Sequence, residues 1–140
     1  MKRILIASCI LLASTVAQAS PQVDCLAKMA YMEARGINKQ AVKDVTDVMF
    51  NRIKHHKFPD SVCKNINKKG QYTWAAKGSK VKDIQTYKAI YKQVDSEYAK
   101  FKLGTWKDGT NGAMYFNNRP GKPYPKAKFL FKRNGHYFYK

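Results

Sequence analysis

The stretch Cys25-Leu-Ala-Lys-Met-Ala-Tyr-Met-Glu-Ala-Arg-Gly36 reads as a helix closed by a glycine, and the face on which each side chain falls decides what the domain is built around. At about 100° per residue, Lys28 and Arg35 fall together on the side that meets water. Glu33 lies about 140° round from Lys28, in the stripe of Leu26, Met29 and Ala30, so its carboxyl is directed toward apolar neighbours in the last turn. Burial favours the neutral form of a carboxyl, and the negative end of the helix dipole pushes the same way. An acid still protonated near neutral pH suits general acid catalysis, which makes Glu33 the candidate catalytic residue. The bland alternative is a Glu paired with a Lys on the helix surface, and its position on the apolar stripe speaks against that.

Working outward, Ala41, Val42, Val45, Val48, Met49 and Ile53 recur at helical spacing, predicting a second helix from about Lys39 to Lys54 with Asn38 as its cap. Pro59 ends it through Phe58. A basic loop through Lys68, Lys69 and Gly70 leads into Gln71-Tyr72-Thr73-Trp74. A third helix is expected from about Lys82 to Phe101, with Ile84, Tyr87, Ile90, Tyr91, Val94, Tyr98 and Phe101 on its buried stripe. The last third is broken by glycine and proline into loops and short extended pieces such as Ala113 to Asn117. Asn134-Gly135 between Phe129–Arg133 and His136–Lys140 is a type I′ hairpin signal, which sets Arg133 opposite His136 and Phe131 opposite Phe138. Asp24 reads as a cap for the first helix, and Asp44, Asp47, Asp60, Asp83, Asp95, Asp108 and Glu97 as residues of solvent-facing helix sides or loops. The expected class is α+β: a helical lobe carrying Glu33 and a C-terminal β-hairpin lobe.

Residues 1–19 have the pattern of an export signal: Lys2 and Arg3, an apolar run from Ile4 to about Val16, then Ala17-Gln18-Ala19. The run is too short to span a bilayer. Residues 20–140 then form a single exported domain, periplasmic or extracellular, with no transmembrane segment. Ile6-Ala7-Ser8-Cys9 also fits lipoprotein-type cleavage, with a short apolar run against it. Without Cys9 an even pair is left, Cys25 and Cys63, and in an oxidising compartment one disulfide is the natural inference. It would close a loop worth roughly 3 to 4 kcal/mol. No metal or other cofactor is expected, since the ligands for zinc are too few.

The charge is extreme: 27 Lys and Arg face nine Asp and Glu, a net +18, or +16 once Lys2 and Arg3 are removed. No run of basic residues exceeds two, so the charge coats a folded surface. Anionic polymers of a bacterial envelope are natural electrostatic partners, and no specific nucleic acid is called for.

The blocks Cys-Leu-Ala-x-x-x-Tyr-x-Glu-Ala-Arg-Gly at Cys25–Gly36, Asn51-Arg52-Ile53, Phe58-Pro59-Asp60-Ser61-Val62-Cys63, Gln71-Tyr72-Thr73-Trp74, Gly112-Ala113-Met114-Tyr115-Phe116-Asn117 and Gly135-His136-Tyr137-Phe138-Tyr139 occur in an order that resembles the SleB-like cell wall hydrolases, the catalytic domains of spore cortex-lytic enzymes and related bacterial and phage murein hydrolases. The resemblance covers nearly all of residues 20–140. It implies a lysozyme-like helical lobe and a lytic transglycosylase acting on the β-1,4 bond between N-acetylmuramic acid and N-acetylglucosamine, with Glu33 as acid. Met32, Met114 and Pro125 depart from the family pattern, which implies a different outer substrate wall at those positions.

Sugar sites combine aromatic faces with amide and hydroxyl groups. Gln71, Trp74, Tyr115, Asn117 and His136 are accordingly the candidate substrate-binding residues, Gln71 and Tyr115 first because their blocks follow loops. Trp74 and Tyr115 fit a core as well as a cleft, and His136 fits a cap on the hairpin face. A monomer acting on glycan strands is expected. Three alternatives remain: a muramidase-type hydrolase using water, which needs a second carboxylate; a non-enzymatic cationic binding protein with aromatics interleaved among lysines; and a nuclease using His55 and His56, which as neighbours on a helix point about 100° apart.

Overall fold

The computed structural model describes residues 20–140, so the expected export signal and Cys9 lie outside the described residues. Among the described residues, five helices precede a small sheet: α1 (Pro21–Ala34), α2 (Lys39–Ile53), α3 (Val62–Asn67), α4 (Thr73–Ala76) and α5 (Ile84–Leu103), then β1 (Tyr115–Asn117), β2 (Phe129–Arg133) and β3 (His136–Tyr139). Pro21, whose missing N–H costs nothing at a helix start, opens α1. Asp24 therefore lies inside the first turn and is not the cap; its carboxylate accepts the Tyr91 hydroxyl across to α5 at 3.0 Å. Asn38 caps α2 as expected, accepting from the Ala41 N–H at 2.8 Å.

α1 is the central helix. It buries Leu26, Met29, Ala30 and Tyr31 against α2, α3 and α5, where Val45, Met49, Phe50 and Val94 are likewise fully buried. The Tyr31 hydroxyl accepts the backbone N–H of Asp83 at 2.9 Å and so fixes the start of α5. That helix begins two residues later than the periodicity predicts, because Asp83 caps it, and runs on to Gly104, whose φ of 77° closes it. Ile84, expected in the stripe, is 54% exposed. It sits about 120° from Ile90 around the axis, off the core face. Glu97 falls about 20° from Ile90 and is buried, contrary to the expectation of a solvent-facing acid; Lys100 at 2.9 Å and Lys43 at 3.7 Å neutralise it.

The segment expected to be a basic loop contains α3, and α4 starts within the Gln71-Tyr72-Thr73-Trp74 block that follows it; both are too short to show a period. Cys25 and Cys63 are joined, so the disulfide ties α1 to α3 where a loop was expected.

The sheet is antiparallel in the order β1-β3-β2, with Arg133 opposite His136 and Phe131 opposite Phe138 as the hairpin signal predicts. Asn134 and Gly135 take the positive φ that the turn requires. Phe138 packs with Ala113 against Val48 of α2. Two acids expected to face solvent anchor the sheet side instead. Asp44 is wholly buried and accepts two bonds from Arg133, at 2.6 and 2.8 Å, which staple the hairpin to α2. Asp47, also wholly buried, accepts from Lys43, Trp106 and the Gly109 N–H. A cation makes burial tolerable in both: Arg133 from across the fold for Asp44, and Lys43 one turn away on the same helix for Asp47.

Candidate active site

A cleft of about 350 Å³ opens between the helical lobe and β1, lined by Glu33, Arg52, Gln71, Tyr72, Thr73, Phe116, Asn117 and Asn118. Glu33 reaches it from the last turn of α1, half-buried. Its carboxyl makes one protein hydrogen bond among the described residues: the Trp74 indole Nε1–H donates to Oε1 at 2.7 Å. Burial pushes the Glu33 carboxyl above the usual range, and the Trp74 bond and the Arg52 charge oppose this only in part. The helix ends here, so late carbonyls of α1 need outside donors. His136 Nε2 meets the Glu33 carbonyl oxygen at 3.1 Å, tying the hairpin to the backbone that carries the acid.

The sequence-predicted site residues part company at this point. Gln71 and Asn117 share the cleft wall with Glu33. Trp74 is not on that wall but touches Glu33 directly, with the Lys28 ammonium 5.9 Å from its ring. Tyr115 is not among the lining side chains: its ring lies 5.6 Å from the Arg52 guanidinium and packs on Phe58 and Tyr124. Burial, with a bond to Tyr124, pushes its hydroxyl up to about 12. His136 corrects the substrate-binding expectation most clearly. At 3% exposed, with its ring edge-on to Phe116 at 5.3 Å, it lies behind the cleft wall. Burial lowers its pKa, against the bond to the Glu33 carbonyl, so the ring is neutral near pH 7 and Nε2 carries the donated hydrogen. Nδ1 is then buried without a partner among the described residues.

Arg52, Tyr72, Thr73, Phe116 and Asn118 were not foreseen as site residues. For Arg52 a signal existed: it falls about 20° from Val45 around the axis of α2, on the apolar stripe, as Glu33 does on α1. Arg52 is 5% exposed and is held by Nε donating to the Met114 carbonyl at 2.6 Å and Nη1 to the Tyr72 hydroxyl at 3.1 Å. No carboxylate other than Glu33 lines the cleft, and no group of three potential metal-ligating side chains occurs among the described residues.

Comparison with known proteins gives the family and the fold. The family model described as Cell Wall Hydrolase matches residues 37–139. The chain belongs to the cell wall hydrolase family. Glu33 itself stands four residues before the matched stretch. The fold of this cell wall hydrolase is similar to two solved structures. One is the catalytic domain of the Bacillus cereus SleB protein, 22% identical over 85% of this chain and 89% of that one, with a TM-score of 0.62. The other is the catalytic domain of the germination-specific lytic transglycosylase SleB from Bacillus anthracis, 21% identical over 89% of this chain and 98% of that one, with a TM-score of 0.64. No curated protein matches the chain. No helix among the described residues is long and apolar enough to cross a membrane.

Proposed function

We propose that this cell wall hydrolase cuts peptidoglycan glycan strands as a lytic transglycosylase at the β-1,4 bond between N-acetylmuramic acid and N-acetylglucosamine. The observation that carries this reading is that Glu33 is the single carboxylate on the cleft wall among the described residues and has its pKa raised. The protonated Glu33 gives its hydrogen to the glycosidic oxygen as the bond from the anomeric carbon breaks and positive charge develops on the muramic ring. The resulting carboxylate then takes the proton of that sugar's own C6 hydroxyl while its oxygen closes on the anomeric carbon. An anhydro ring forms, the glutamic acid is regenerated, and no second carboxylate is required. A water-using glycosidase of the usual design would place a second acid roughly 5 Å away, or 6.5 to 9.5 Å for inversion.

Gln71 and Asn117 offer amide groups to the sugar edges and Phe116 an apolar face, the composition of a specific ligand cleft. The Asn117 side chain spends one N–H on the Gly121 carbonyl at 2.7 Å, which orients its oxygen. Export fits the same reading, since the substrate lies outside the membrane and the Cys25–Cys63 bond suits an oxidising compartment. The +16 surface would hold the enzyme on anionic envelope polymers between cuts. Mass spectrometry of digested peptidoglycan tests the reaction. Anhydro-muramyl ends are expected; new reducing ends would mean that water is the acceptor, and an undigested polymer would remove the enzymatic reading.

A further inference from the structure

Arg52 is the cleft residue that neither the fold nor the proton transfer fully explains. Of the five N–H donors of a guanidinium, two are spent, on Met114 and Tyr72. No acid lies within ion-pair distance of it among the described residues, whereas Arg133 on the same helix-and-sheet framework is clamped to Asp44. Its charge lowers the pKa of Glu33, so the two feel one another, yet they form no ion pair. Its Nη2 is not among the buried atoms lacking a partner, so that edge of the fork is reached from the cleft it lines. A 5% exposed cation without a counter-charge is costly. Three rings, Phe58, Tyr72 and Tyr115, lie 5.4 to 5.8 Å from it and hold its plane in place.

We propose that Arg52 is the receptor for a carboxylate carried by the substrate, seated in the same cleft as the bond to be cut. The inference rests on the glycan-cleaving reading of that cleft. A planar fork with its outer edge toward the ligand matches a carboxylate in two-point geometry. The chemistry of the step asks for such a partner. Positive charge develops on the sugar, and an uncompensated guanidinium on the same wall opposes it in a low-dielectric site. A substrate carboxylate on Arg52 removes that penalty and fixes the sugar's orientation over Glu33. Two sources share this chemistry: the lactyl carboxylate of muramic acid without its peptide, and the free carboxylates of a peptide stem.

Calorimetric titration of the full-length Glu33→Gln variant, which keeps ligands intact, tests the idea with three glycan fragments. One bears free lactyl carboxylates, its twin has them converted to neutral amides, and a third carries peptide stems. Measurements at about 0.5 M salt largely screen the open lysine surface. A carboxylate-bearing fragment is expected to bind at least about tenfold tighter than the neutral twin. Whether the peptide-free or the stem-bearing fragment shows the gain identifies the source. Adding Arg52→Gln is expected to abolish the preference; if that variant does not fold by circular dichroism, Arg52→Lys replaces it and is expected to cut the preference several-fold. Equal affinity for all three fragments, or a preference that survives intact in the Arg52 variant, overturns the proposal. Wild-type digestion of the same fragments is read separately, so a fragment that binds through its carboxylate yet stays whole counts against the glycan-cleaving reading alone.

Discussion

Glu33 and Asp44 are both helix acids drawn toward the interior, and their surroundings are opposite. Asp44 is sealed from solvent and meets Arg133 in two short bonds, with Gln40 donating a third at 2.8 Å. Glu33 is half-buried at a cleft, with one neutral indole N–H as its protein partner. Asp47 separates the two causes at work. Its pKa is also raised, by burial, against bonds from Lys43, Trp106 and Gly109. A raised pKa alone therefore does not mark a catalytic acid in this molecule. On the proposed reading, access to a cleft and the lack of a cation partner set Glu33 apart, because a sealed and neutralised acid has no route to pass its proton to a ligand.

The strongest way to break the contrast is Glu33→Gln. Catalytic turnover is expected to fall by about 10²–10⁴-fold, the share that a positioned acid supplies, with the folded state intact. Release of glycan fragments from purified sacculi measures it. Retained activity would return Glu33 to the same structural class as Asp44.

Arg133→Leu probes the other side. It strands Asp44, fully buried, with Gln40 as its remaining partner. Breaking a buried pair costs about 3–5 kcal/mol, and the partly exposed Arg133 side chain argues for the low end, about 3. A drop in Tm of roughly 10 °C is expected in a domain of this size, with turnover below the transition changed far less than by Glu33→Gln. If turnover collapses while Tm holds, the structural role assigned to Asp44 is wrong.

Trp74→Phe sharpens the contrast by leaving Glu33 with no donor at all among the described residues. Turnover is expected to fall by about tenfold through loss of orientation. The Trp74 bond lowers the Glu33 pKa, so its removal raises it. The general acid works protonated, so activity is lost as pH rises through that pKa, and the alkaline limb of the rate profile is expected to move to higher pH. A limb that moves down would mean that Trp74 does not stabilise the carboxylate.

Periodicity made the Glu33 stripe legible, and turn chemistry made the hairpin legible down to its register, because both are local rules. The burial of Glu97 and of Arg52 was equally local, each within about 20° of a core residue, and was obscured by reading charge as exposure in a chain of 27 basic residues. Asp44 could not be placed in the same way, since its neutralising partner is 89 residues distant. The fate of His136 was beyond reach for a similar reason: whether it faces a ligand or the back of α1 depends on how the sheet docks, 103 residues from Glu33. α3 and α4 lack the length to carry a period at all.

The smallest effect is the most specific to the contrast. Because the folded pKa of Glu33 is raised, the folded state holds its proton more tightly than the unfolded chain does. The stability this gives is fully present below the ordinary glutamate pKa of about 4.3 and is lost as pH rises through the folded value. Above that folded value the wild type bears a partly desolvated carboxylate that Glu33→Gln does not, while the glutamine oxygen still accepts from Trp74. At a pH above that value the variant is expected to be more stable by about 0.5–2 kcal/mol, as replacements at functional sites often are. The gap should close as pH falls below about 4. Asp44→Asn is expected to lower stability instead, since removing the charge breaks the Arg133 pair. Urea titrations of Glu33→Gln above the alkaline limb of the rate profile and at about pH 4 decide the matter: if the variant is the less stable above that limb, the ionised side chain is held by favourable contacts and the unpaired state ascribed to it is mistaken.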